Sequence, residues 1–68
     1  GLTQHIQRTL TNHFKVEIKA YWEENVINSL LPDSINADEA VEIVREIIIG
    51  GSVYVEETAI GNVLVVEL

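Results

Sequence analysis

From Asn36 to Val55 the chain reads NADEAVEIVREIIIGGSVYV, and the spacing of its apolar residues changes at the glycine pair. On a wheel of 100° per residue, Ala37, Ala40, Val41, Ile43, Val44, Ile47 and Ile48 fall on one connected arc, opposite Asp38, Glu39, Glu42, Arg45 and Glu46. This predicts an amphipathic helix. Asn36 is placed to cap it with a side-chain oxygen, Glu39 three residues on completes an approximate capping box, and Asp38 and Glu39 suit the positive end of the helix dipole. Only Ile49 departs from the arc. Gly50 reaches a left-handed conformation at little cost, so the helix is predicted to end at Ile49, with Gly51 in the reversal that follows.

Toward the N-terminus, Leu2, Ile6, Leu10 and His13 or Phe14 recur at three- and four-residue spacing, which predicts a helix over 3 to 13 with Thr3 as its cap. The period then becomes two: Phe14, Val16, Ile18, Ala20 and Trp22 alternate with Lys15, Glu17, Lys19 and Tyr21, the signature of a half-buried strand. Lys, Glu and Ala are good helix formers, so the rival is one long helix from 3 to about 31. Glu23, Glu24 and Asn25 read as a turn. Val26, Ile27, Leu30 and Leu31 suggest a short helix that stops before Pro32, because the residue before proline disfavours helical geometry.

Beyond Gly51, Ser52 to Thr58 and Val63 to Leu68 form two strand patterns of a hairpin. A two-residue Gly61-Asn62 turn would set Glu56 directly opposite Glu67. A four-residue loop pairs Val53 with Leu68, Tyr54 with Glu67 and Val55 with Val66, and is preferred because like charges directly opposite are destabilising. Either register puts Val53, Val55, Leu64, Val66 and Leu68 on one face and Tyr54, Glu56, Thr58, Val63, Val65 and Glu67 on the other. The expected fold class is therefore α+β, ordered helix, strand, helix, strand, strand, with the central helix packed on one face of a three-stranded sheet. The alternative is a long N-terminal helix, a second helix and a C-terminal hairpin.

Composition bounds this picture. The 68 residues allow one small domain, 1–68, and a chain this short buries only about 60% of the surface that its unfolded form exposes. With no cysteine for cross-links, oligomerisation is the expected further source of stability. The lack of cysteine fits a reducing compartment, which favours the cytoplasm, and fits many secreted chains as well. No apolar run approaches the roughly 20 residues of a membrane span, so no membrane partner is expected. Gly1 in place of an initiator methionine suggests a cloning scar, a processed terminus or an excised domain, and the apolar pattern still runs at Leu68, so context is expected to be missing at both ends.

Eleven acidic residues against Arg8, Lys15, Lys19 and Arg45 give a net charge of -7. Direct nucleic-acid binding is disfavoured, since it relies on clustered cations that release counterions. Such a charge suits either an ordinary solvated surface or one that imitates nucleic acid.

Candidate chemistry is sparse. There is no thiol and no Gly-x-Ser-x-Gly elbow, and His5 and His13 lie roughly 12 Å apart along one helix, too far to share a metal. The neighbouring carboxylates Glu23-Glu24, Asp38-Glu39 and Glu56-Glu57 point apart on helices and strands. No EF-hand, phosphate loop or dinucleotide fingerprint is present, so no catalytic, cofactor-binding or metal residues are assigned. The expected function is a non-enzymatic protein-interaction or oligomerisation module, with a protein partner or a second copy of the chain as ligand. Its expected contact residues are the acidic line Asp38, Glu42 and Glu46, the off-arc Ile49, and Tyr54, Val63 and Val65 on the outer hairpin face. Two other expectations stand beside it. One is an acidic, nucleic-acid-mimicking inhibitor that occupies a basic groove of a partner protein, and the other is a small enzyme completed at a subunit contact, which would need His5 or His13 to meet a carboxylate across that contact.

Overall fold

A computed structural model describes residues 1–68, in the order α1 (Leu2–Phe14), β1 (Tyr21–Glu23), β2 (Val26–Leu30), α2 (Ala37–Ile47), β3 (Ser52–Thr58) and β4 (Gly61–Glu67). The class is α+β, but the sheet has four strands where three were expected. It is antiparallel throughout, in the spatial order β1-β2-β4-β3. Because β4 pairs antiparallel with both β2 and β3, those two strands run parallel on either side of it, joined by α2 as a split β-α-β unit.

α2 starts as its sequence predicts, with the Asn36 side-chain oxygen accepting from the Glu39 N–H at 3.1 Å. It ends two residues earlier than expected. Ile48 leaves the helix in an extended conformation and packs against the core, while Ile49 is fully exposed. Gly50 and Gly51 both take positive φ, at 81° and 79°. At Gly51 glycine is compulsory on a second ground, because a Cβ there would stand 2.3 Å from the carbonyl oxygen of Glu67.

The largest correction concerns residues 14 to 31. α1 begins at Leu2 without the Thr3 cap and closes after Phe14 on Lys15 in the left-handed region, which excludes the long-helix rival. Residues 16 to 20 alternate as read, with Ile18 and Ala20 buried and Glu17 and Lys19 exposed, yet they do not join the sheet. Their backbone is satisfied by side chains instead. Thr11 Oγ1 accepts from the Ile18 N–H at 3.0 Å and donates to the Ile18 carbonyl at 3.1 Å, Gln7 Oε1 accepts from the Ala20 N–H, and Ser29 Oγ donates to the Lys19 carbonyl. Only Tyr21–Glu23 pairs as strand. Glu24 and Asn25 then both take positive φ, as a type I′ turn requires, and return the chain directly into β2 where a short helix was expected. Five residues cannot sustain a helix, whereas Val26, Asn28 and Leu30 alternating with Ile27 and Ser29 suit a central strand.

The β3–β4 hairpin has a third register. Val53 pairs with Val66, Tyr54 with Val65, Val55 with Leu64 and Glu56 with Val63, around a turn at Ala59 and Ile60. Ala59 and Ile60 keep ordinary negative φ, and the glycine conformation falls on the exit residue, Gly61 at 129°. Thr58 Oγ1 ties the turn, donating to the Gly61 carbonyl and accepting from the Ile60 N–H. The shift from the preferred register is even, so every strand residue keeps its predicted face, and no two glutamates stand opposite.

Ile6 and Leu10 of α1, Ala40, Val41 and Val44 of α2, Ile18, Ala20 and Leu31, and the strand residues Ile27, Val53, Leu64 and Val66 form one buried cluster. Both helices therefore cover the same face of the sheet. The other face is open.

Candidate interaction surface

The pairing registers place Tyr21, Asn28, Val65 and Tyr54 in one row across all four strands of the open face. A second row runs Leu30, Val63, Glu56, and a third Glu23, Val26, Glu67, Ser52. Val65, on a central strand, is only 5% exposed because its row neighbours close over it. The exposed apolar surface comes instead from Tyr21 at 63%, Leu30 at 47% and Tyr54 at 39%, with Val63 half-buried between Leu30 and Glu56. Ile60, exposed at the β3–β4 turn, extends this surface past the sheet. It shares a shallow depression of about 360 Å³ with Leu30, Leu31 and Pro32, and Leu30 and Tyr21 share another of about 300 Å³. Carboxylates rim the face. Glu67 accepts a hydrogen bond from the Tyr54 hydroxyl at 3.0 Å, and that bond, with partial burial and the nearby charges of Glu67 and Glu56, lifts the phenol above its ordinary pKa of 10.0.

Around the rim of the sheet lies a second surface, the outer edge of β3. In an antiparallel pair, residues alternate between turning both backbone groups toward the partner strand and turning both away. The Val53 carbonyl turns away from β4, since it accepts from Arg45 Nη2 of α2 at 3.1 Å. By the same alternation the N–H and carbonyl groups of Val55 and Glu57 face outward too. Between this edge and α2 run two adjoining depressions of about 440 and 460 Å³ that share Arg45 and Tyr54. Asp38, Val41, Glu42 and Val55 complete the lining of one.

The chain was compared with family models, with curated proteins and with solved structures. None of the three comparisons finds a match. The surface itself is therefore what carries the functional reading.

Of the residues singled out in the sequence, Tyr54, Val63 and Val65 share the open face, and Asp38 and Glu42 join Tyr54 in lining the β3 groove. Glu46 and Ile49 are exposed but line none of the depressions. Sequence reasoning missed Tyr21, Leu30 and Ile60. The signal for Leu30 was its period-two relation to Val26 and Asn28, which the helical reading of 26–31 concealed.

A meeting of His13 with a carboxylate, considered in the sequence only across a subunit contact, occurs within the chain. His13 Nε2 lies 2.6 Å from Glu39 Oε2, tying the end of α1 to the start of α2, with Phe14 edge-on to the imidazole at 4.7 Å. Neither residue lines a depression, and both side chains are about half exposed, so the pair reads as a helix-to-helix tie. No group of three or more His, Asp or Glu side chains converges to a metal-binding arrangement.

Proposed function

We propose that this chain is a non-enzymatic protein-interaction module that docks its partner on the open face of the sheet. The observation that carries the reading is the apolar band of Tyr21, Leu30, Val63 and Tyr54 on the side without helices, prolonged by Ile60 and rimmed by Glu23, Glu56 and Glu67. Aromatic and aliphatic groups inside a polar rim are the anatomy of an interface, and exposed apolar patches on small soluble domains mark such sites. A nucleic-acid mimic would display its carboxylates as one track. Here they occur on α2, at the β1–β2 turn, at the end of β3 and in the loops, on both layers of the fold, a distribution that favours the first reading.

The test is a comparison of the parent chain with Leu30→Asp combined with Tyr54→Ala. Sedimentation over a wide concentration range measures self-association, and affinity capture measures other protein partners. Association present in the parent and lost in a folded variant supports the reading. A parent chain that stays monomeric and captures nothing the variant fails to capture removes it.

A further inference from the structure

We propose that the outer edge of β3 receives an extended, lysine- or arginine-bearing segment of the partner as a fifth strand of the sheet; this rests on the reading of the chain as an interaction module and names the chemistry of its ligand. β3 is seven residues long and ends the sheet, and its outward backbone groups at Val53, Val55 and Glu57 are the template on which strands add. One of these is already occupied from within. Arg45 donates from Nη2 to the Val53 carbonyl at 3.1 Å while its Nη1 lies 3.4 Å from Glu42 Oε1, so a cation carrying N–H donors is seated in the groove. Arg45 thus imitates, with one side chain, what an incoming basic strand offers along its length.

Charge decides the occupant. An added residue lies on the same face as the β3 residue opposite it. Residues opposite Val53, Val55 and Glu57 therefore project toward α2, where Asp38 lines the groove, Glu42 shares it with Arg45, Glu57 turns to the same face by register, and Val41 and Val55 offer apolar wall for a cation's aliphatic stem. Residues opposite Tyr54 and Glu56 project to the open face and continue its apolar band. The predicted ligand alternates basic and apolar residues. A second copy of this chain is disfavoured, because a two-fold pairing of β3 edges centred on Val55 would bring both Glu56 side chains to diagonal positions while joining two chains of net charge -7.

The test titrates a short capped peptide of alternating lysine and valine into the isotopically labelled chain, followed by amide chemical shifts. Expected shifts concentrate on Ser52–Thr58 and on Asp38 to Arg45. Methylating alternate backbone nitrogens of the peptide should weaken binding about tenfold or more, because main-chain hydrogen bonds supply much of the affinity in strand addition. Replacing lysine with glutamate should abolish it. Val55→Pro blocks the edge without touching the β3–β4 ladder, since its N–H points outward, and should remove binding from a folded chain. Arg45→Ala should tighten binding by about threefold, by removing the competitor and one like charge from a partly screened groove.

Equal binding of the methylated peptide would show attraction by charge alone and overturn the proposal. So would shifts confined to Tyr21 and Leu30, or self-association that Val55→Pro abolishes while the peptide leaves the chain unchanged, which would assign the edge to a second copy. If the peptide fails to bind while the Leu30→Asp, Tyr54→Ala variant still loses association, the strand-addition proposal falls and the interaction reading stands. If both experiments are blank, both fall.

Discussion

The two edges of the sheet are finished in different ways. Next to β1, the extended segment 16 to 20 is held by α1, whose Thr11 takes both backbone groups of Ile18 and whose Gln7 takes the N–H of Ala20. At β3, a single exposed guanidinium touches a single carbonyl. An extended chain exposes donors and acceptors wherever it runs, and a small domain must satisfy, cover or use them. In this protein α1 satisfies backbone groups of Ile18 and Ala20 in the segment that leads into β1, whereas the β3 edge remains available.

The largest test of that contrast is the buried packing that keeps α1 in place. Leu10 is completely buried, and Leu10→Ala should cost about 2–5 kcal/mol in urea unfolding, as cavities in well-packed cores do. Amide exchange at Ile18 and Ala20 should accelerate with it. A loss below 1 kcal/mol, on the scale of an ordinary surface change, would show that α1 does not seal that edge.

Thr11→Val comes next. The shape is kept, but a donor and an acceptor on Ile18 lose their partner in a partly buried site, which should cost about 1–3 kcal/mol. Arg45→Ala, the corresponding change at the other edge, should cost less than about 1 kcal/mol, since its ion pair with Glu42 is solvent-exposed. If denaturation midpoints showed Arg45→Ala to be as costly as Thr11→Val, the two edges would be equivalent and the contrast would disappear.

The smallest effect is confined to alkaline pH. The Glu67 hydrogen bond holds the Tyr54 phenol protonated past its ordinary pKa of 10.0, so the folded chain keeps a proton there that the unfolded chain releases. The stability this contributes is present in full below pH 10.0 and fades as pH rises through the raised folded value. Tyr54→Phe should therefore flatten the alkaline limb of a stability-versus-pH curve and leave its slope at neutral pH unchanged. An unchanged alkaline limb would mean that the Tyr54 to Glu67 bond does not persist in solution.

Half of the candidate surface was readable before the fold was known. Tyr54 and Val63 were placed on the outer face by alternation alone, and Asp38 and Glu42 by the polar side of the α2 wheel. The other half depends on pairing. Tyr21 and Leu30 reach the same face only because β1 and β2 form a hairpin through two non-glycine residues at positive φ, and Arg45 becomes an edge residue only where α2 crosses β3. Nor could spacing along the chain reveal that His13 and Glu39, 26 residues apart, would meet.

By itself the sequence determined what is periodic and local. Its apolar arc and Asn36 cap specify α2, and two-residue alternation specifies which side chains of β3, β4 and segment 16 to 20 turn inward. Tertiary structure decided what each backbone would bond to. Segment 16 to 20 alternates like a strand yet finds its partners in Thr11 and Gln7, residues 26–30 become a central strand between β1 and β4, and the hairpin register settles around Gly61. The physical reason is that hydrophobic period is set by each residue's own side chain, whereas a backbone N–H or carbonyl accepts whichever partner the packed chain brings within about 3 Å. At β3 packing brings only Arg45, and only to the Val53 carbonyl.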